Sequence, residues 1–177
     1  MTDTGILYAT GAANNTSYGN KNWSSVTNVI GSGGFYASMS GGLGTLTSHY
    51  MEYAYSPGLA AGDTIVGMEF SFTRYCDASS SGSTSSLKAL INGTFGTEKA
   101  TGDTWPTTGA YSSTYGSPTD MWGFSAGSIT GSSTFKMCVA GDLSDKHDTL
   151  YIGNAQLTIY YTPAPLVVVK PRIVFFG

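Results

Sequence analysis

Charge is scarce in this sequence: Asp, Glu, Lys and Arg make up 11% of its 177 residues, with eight basic and eleven acidic side chains and a formal net charge of −3. The basic residues are spread along the chain, so there is no basic stripe of the kind a phosphate backbone requires, and nucleic acid is not an expected partner. Hydrophobic runs are short as well. None approaches the roughly 20 residues of a membrane-crossing helix, and Met1-Thr-Asp-Thr4 lacks the basic start and apolar stretch of a secretory signal. The expectation is a chain made in a cytoplasm that does not engage a membrane. Cys76 and Cys138 lie far apart with no histidine at ligand spacing, which speaks against a metal centre. Buried thiols are expected; a disulfide stays open, since it needs Cα atoms within about 7 Å.

Histidine is equally rare, and neither His49 nor His147 has a companion acid and nucleophile in a local motif. Also missing are a Gly-x-Ser-x-Gly elbow, a phosphate-binding glycine loop before a helix, and a His-Glu-x-x-His pair. Carboxylate pairs for glycoside hydrolysis can be drawn from Glu52, Glu69, Glu98 or Asp103, but nothing in the sequence selects two of them. Asp142, Asp145 and Asp148 alternate with Ser144 and Lys146 in one loop. Several oxygens there can be drawn around Ca²⁺, yet the loop departs from the EF-hand pattern and places a lysine among the ligands, so a solvated hairpin tip is preferred. The expectation is no catalytic residue, no cofactor and no metal.

What the chain has in quantity is Ser and Thr, roughly a quarter of it, with 24 Gly, and an aromatic content of 13% that includes 12 Tyr and 3 Trp. That is too apolar for disorder and too poor in strong helix formers for a helical fold. Two-residue alternation marks the strands. In Thr64–Tyr75, Val66, Met68, Phe70 and Phe72 share one face and Gly67, Glu69, Ser71 and Thr73 the other. Leu87–Ile91 leads into Asn92-Gly93, a pair suited to a type I′ hairpin turn, with continuation through Thr94-Phe95. Phe135, Met137 and Val139 alternate with Lys136, and Ala155, Leu157, Ile159 and Tyr161 with Gln156, Thr158 and Tyr160. Weaker strands are read at Gly5–Thr10, Gly34–Ser38 and His49–Tyr55. Asp77–Ser85 has nothing to bury and reads as a solvated loop, and residues 102–133 as a long crossover pinned by Trp122 and Phe124. Seven or eight short strands between Gly, Ser, Asn and Pro turns predict an all-β fold, an antiparallel two-sheet β-sandwich of jelly-roll type over residues 1–162.

Tyrosine and tryptophan also open a carbohydrate reading, because their rings stack on sugars. Trp23, Trp105 and Trp122 are read as core or loop anchors in preference to a binding platform, which leaves Tyr36, Tyr50, Tyr111 and Tyr115 as its candidates if they are exposed.

Past Thr162-Pro-Ala-Pro165 the chain runs Leu166-Val-Val-Val-Lys-Pro-Arg-Ile-Val-Phe-Phe-Gly177, twelve residues of which eight are large and apolar. Each such side chain, fully buried, contributes roughly 1.5–3 kcal/mol, so something must cover them. Pro171 argues against a central strand of the chain's own sheet. Residues 163–177 are therefore read as a C-terminal arm docked on a neighbouring subunit through Leu166, Val167, Val168, Val169, Ile173, Val174, Phe175 and Phe176. An edge strand folded back on its own domain is the alternative.

Several motifs occur in a recognisable order: Trp23 with Asn28, Gly34-Phe-Tyr-Ala-Ser38, Ile65-Val-Gly-Met-Glu-Phe-Ser-Phe-Thr-Arg74, Asn92-Gly93 with Gly96, Trp105, Thr114-Tyr-Gly-Ser-Pro-Thr-Asp-Met-Trp-Gly123, Phe135 and Leu157-Thr-Ile-Tyr-Tyr161. From about residue 21 to residue 161 this order resembles a β-sandwich module of tailed-bacteriophage structural proteins. The resemblance implies a non-enzymatic virion component, either a capsid decoration (cement) protein or a tail or fibre module, and supplies no binding residues. As a cement protein the chain would be made in the bacterial host cytoplasm and end on the capsid surface. Its partners there would be the major capsid protein and neighbouring copies of itself, a homotrimer by analogy with cement proteins at threefold positions. The alternative is a tail or fibre module that binds host-surface carbohydrate.

Overall fold

The computed structural model describes residues 1–34, 36–41, 46–77, 82–107, 111–144 and 147–165. Among these residues, twelve strands form two antiparallel sheets facing each other, joined by connections that include one 3-10 turn, Val26–Val29. The first sheet runs β1 (Thr2–Asp3), β12 (Thr149–Thr162), β7 (Thr64–Cys76), β10 (Tyr111–Ser117), with β2 (Leu7–Tyr8) and β4 (Ala37–Ser40) also paired to β12. The second runs β3 (Gly11–Asn15), β6 (Tyr50–Tyr55), β11 (Phe135–Leu143), β8 (Gly82–Ile91), β9 (Thr94–Phe95), with β5 (Leu46–Thr47) on β11. This is the jelly-roll-like β-sandwich that the alternation predicts.

The core lies where the inner faces meet. From β7 come Ile65, Met68, Phe70 and Phe72, from β12 Leu150, Ile152, Leu157 and Ile159, and opposite them Met51, Tyr53, Leu87, Phe135, Met137 and Val139, all essentially inaccessible to water. Phe70 packs its ring against both Phe72 and Tyr53, which ties the two sheets together. The three tryptophans are also buried, and each indole N–H is satisfied: Trp23 by the His49 carbonyl, Trp105 by Thr84 Oγ1 and Trp122 by the Met68 carbonyl. They are anchors, as expected, and take no part in a surface platform.

Two sequence readings need correction. On β7, Ile65 is buried while Val66 is only half so, because Tyr160 lies opposite Gly67 but Tyr161 opposite Ile65. The extra residue is a β-bulge, and it shifts the side-chain alternation by one on its N-terminal side. The second concerns Asp77–Ser85. Its last residues open β8, with Gly82 and Thr84 facing inward. Gly82 faces inward because its missing Cβ would fall 2.5 Å from Leu150 Cδ2, and Thr84 because its hydroxyl receives the Trp105 N–H. Small polar residues thus line a strand there in place of apolar ones.

The Asn92-Gly93 turn behaves as read. Both residues have positive φ, 50° and 80°, and they join β8 to β9. Within the expected crossover, Tyr111–Ser117 forms β10, a full strand on β7, and the loop after it is held by buried Trp122 with Phe124 against the core.

Candidate functional site

Two surfaces can do something beyond holding the fold together. The first is the edge made by β10. This strand pairs with β7 along its whole length, Tyr111 opposite Arg74 through Ser117 opposite Met68, and no other strand of the described residues pairs with its far side. Its sequence, Tyr-Ser-Ser-Thr-Tyr-Gly-Ser, contains no charge and no proline. Sheet edges are ordinarily guarded by such residues, since a row of unpaired N–H and C=O groups is a template for another strand.

By contrast, the matching edge of the second sheet is covered. Residues 96–105 run along β8, with Gly96 N–H on Ala89, Lys99 N–H on Leu87, Thr84 N–H on Asp103 and Trp105 N–H on Gly82.

The inner side of β10 is locked. Arg74, 1% exposed, donates through Nη1 to the Tyr115 hydroxyl at 2.9 Å and through Nη2 to Ser113 at 3.1 Å. Tyr115 in turn donates to Asp103 at 2.8 Å, and Arg74 Nη2 lies 3.5 Å from the same carboxylate. Hydrogen bonds from Thr101 and Tyr115, with the guanidinium charge, hold the Asp103 carboxyl below its ordinary value. Burial and the bond to Asp103 push the Tyr115 hydroxyl up. The edge strand is therefore rigidly presented while its outer backbone is open.

The second surface is the outer face of the first sheet. Tyr75 and Tyr151 sit opposite each other on β7 and β12 with rings 4.4 Å apart and nearly parallel, and Tyr36 meets Tyr75 edge-on at 5.1 Å. Further along the same strands, Ile6, Glu69, Ser71, Thr114, Gln156 and Thr158 line a depression of about 270 Å³. The Tyr160 hydroxyl donates to Glu69 Oε2 at 2.7 Å, which raises the tyrosine pKa.

The expected aromatic platform is thus only partly realised. Tyr50 and Tyr115 are buried, at 2% and 9% exposure. Tyr50 is stacked between Tyr18 and Phe95, hydrogen-bonded to Ser86, and pushed up to about 12 chiefly by burial. Tyr111 is exposed but shares the inner side of β10 with Tyr115, where the Arg74 guanidinium lies over its ring. Only Tyr36 joins an outward cluster, and its two partners, Tyr75 and Tyr151, were not among the candidates. The signal was available for Tyr75, which takes an outward position in the alternation of β7, but not for Tyr151, because the irregularity between Ile152 and Ala155 shifts the alternation of β12.

The four carboxylates considered for hydrolysis are each engaged separately: Glu52 with Lys136 and Asn15, Glu69 with Tyr160, Glu98 with Ser86 and the Leu87 N–H, Asp103 with Arg74 and Tyr115. Asp142 accepts from Thr47 Oγ1 at 2.6 Å across the β11–β5 pair, and Asp145 lies outside the described residues. Among the described residues no group of three His, Cys, Asp or Glu side chains could hold a metal. Cys76 points into the core and Cys138 lies beneath the outer face of the second sheet, where burial pushes its thiol pKa well up. The arm residues Leu166, Val167, Val168, Val169, Ile173, Val174, Phe175 and Phe176 lie outside the described residues. The chain up to them is fixed, with Ala164 N–H donating to Asp63 Oδ1 at 2.9 Å.

No protein-family model matches the sequence, and no curated protein matches it. Among solved structures, the chain is similar to the CBM22-1 xylan-binding domain of Paenibacillus barcinonensis Xyn10C, at 10% identity and a TM-score of 0.45 over 89% of this chain and 94% of that one.

Proposed function

We propose that this chain is a non-catalytic structural protein of a tailed-phage virion, a capsid decoration protein that binds the shell formed by the major capsid protein and links to neighbouring copies of itself. The observation that carries this reading is the open, uncharged edge of β10, set against the apolar segment at residues 166–177. An extended segment added to such an edge satisfies the backbone of both partners, while alternate Val, Ile and Phe side chains bury themselves. The segment of one copy then occupies β10 of the next. Contacts repeated over a lattice act together, so a modest affinity at each site gives firm attachment through effective concentration. A homotrimer made in the bacterial cytoplasm and delivered to the capsid surface is the assembly this reading favours.

Quantitative mass spectrometry of purified particles tests the location. A copy number near that of the major shell protein is expected, and particles lacking the protein should lose heat resistance that returns when it is added back. A handful of copies per particle would instead favour the tail or fibre alternative. That alternative needs exposed aromatic rings for host-surface carbohydrate, and it draws its support from the outer face of the first sheet.

A further inference from the structure

We propose that the outer face of the first sheet is a binding site for a neutral, hydroxyl-rich ligand, an extended oligosaccharide laid along β7 and β12. The assignment deepens the carbohydrate alternative and does not depend on docking at the β10 edge.

Three observations combine. At one end of the strands, Tyr36, Tyr75 and Tyr151 form a cluster of half-buried rings. A Cβ on Gly153 would fall 2.7 Å from Tyr36 Cε1, so the absence of a side chain lets this ring rest on the strand while it stays partly open to solvent. Tyrosines set on a sheet in this way offer apolar ring area for the C–H face of a sugar and a hydroxyl for its oxygens.

At the other end, the depression of about 270 Å³ is walled by Ile6, which is 60% exposed, and floored by short polar groups: Glu69, Ser71, Thr114, Gln156 and Thr158. These supply donors and acceptors in alternation, as a ligand with closely spaced hydroxyls demands. Tyr160 fixes Glu69 through Oε2, which leaves Oε1 for a ligand hydroxyl.

The third observation is charge. Among the outward-facing residues of β7, β10 and β12 there is no Lys or Arg, because Arg74 points inward, and Glu69 is the one carboxylate in the depression. Phosphate, sulfate and uronate ligands would meet an uncompensated negative charge there, whereas a neutral sugar would not. From Tyr75 to Glu69 the strand extends about 20 Å, room for a chain of several sugars and not for one alone.

The test is titration of the full chain with neutral hexasaccharides of β-1,4-linked glucose, xylose and N-acetylglucosamine, by calorimetry and amide chemical shifts, at concentrations into the millimolar range. At least one should bind and shift amides of β7 and β12. Its affinity should fall about tenfold or more in Tyr75→Ala and in Glu69→Gln, and stay unchanged in Tyr111→Ala, whose ring lies on the opposite side of the sheet. Thr114→Trp fills the depression from an exposed position, so it should abolish binding while leaving the melting temperature in place. No binding by any of the three, or binding that survives Tyr75→Ala and Thr114→Trp, overturns the assignment. Particle attachment that fails while hexasaccharide binding persists would remove the capsid reading and leave this one standing.

Discussion

Arg74 and Tyr115 are hydrogen-bonded across the β7–β10 pair, guanidinium to hydroxyl at 2.9 Å, and both side chains lie within the sandwich. The bond continues to Asp103, so three residues from β7, β10 and the strip covering β8 are joined where the sheets close on each other. Truncating Arg74 to Ala leaves a cavity and removes one of the two partners of the Tyr115 hydroxyl, at a cost of about 2–5 kcal/mol. Tyr115→Phe keeps the ring and forfeits only the bridging hydroxyl, about 1–2 kcal/mol. Denaturant unfolding should rank the variants in that order, and an Arg74→Ala protein as stable as the parent would contradict this picture of the edge.

Acid should loosen the same corner. Asp103 is held below its ordinary value by Thr101, Tyr115 and Arg74. Glu98 is lowered too: burial opposes its ionisation, but hydrogen bonds from Ser86, the Leu87 N–H and the Ala100 N–H outweigh it, with help from Lys88. A carboxyl whose folded pKa is depressed contributes stability above its unfolded value, near 4, and that contribution is lost as the pH falls through the folded pKa. The melting temperature should therefore decline as pH drops below about 4, and Asp103→Asn should flatten the decline. An unchanged slope in Asp103→Asn would mean that the carboxylate does not matter there.

Phe70 is the test of how the strand faces were assigned. Its ring is fully buried between Phe72 and Tyr53, and Phe70→Ala should cost about 3–5 kcal/mol. Its neighbour Glu69 is half-exposed on the outer face, and Glu69→Ala should cost little in stability. Equal melting temperatures for the two variants would place the faces the wrong way round.

The fold was largely legible because half-buried antiparallel strands write their faces into the sequence, as Met68, Phe70 and Phe72 do on β7 and Leu157 and Ile159 on β12. Where the signal failed, a physical reason can be named. The bulge at Val66 adds a residue that alternation does not register. Thr84 is inward yet polar, and Ser86 is buried on the outer side of the same strand beyond its irregularity, because Trp105 and Tyr50 supply their hydrogen-bond partners. β10 was missed because its inward side chains, Tyr115 and Ser113, pack on Arg74 in place of a run of aliphatic neighbours. The candidate sites were less legible still. A sequence shows that Tyr50 and Tyr75 are tyrosines, but not that Tyr18 and Phe95 bury the first while Tyr36 and Tyr151 leave the second half-exposed.

Gly67 should be intolerant of substitution for reasons of space alone. A Cβ there would sit 2.1 Å from the Pro118 carbonyl oxygen, a backbone atom that cannot swing aside. Gly67→Ala should destabilise by about 1–3 kcal/mol, since the loop after β10 must shift to admit a methyl group. Gly127, by contrast, has positive φ but open space around it, so Gly127→Ala should cost about 1 kcal/mol of backbone strain and disturb no packing. Amide shifts confined to the mutated turn in Gly127→Ala, but spread through residues 116–122 in Gly67→Ala, would confirm the difference; the same local pattern in both would refute it.

The most direct measurement of the central claim is sedimentation velocity of the full chain beside a chain ending at residue 165, with circular dichroism of each. Docking of residues 166–177 on a neighbour's β10 edge predicts self-association of the full chain and a folded, monomeric 1–165, because β12 and the Ala164–Asp63 bond remain in place. A full chain that stays monomeric, or a truncated chain that is unfolded, would contradict it: the first removes the exchange between copies, and the second makes the segment part of its own core.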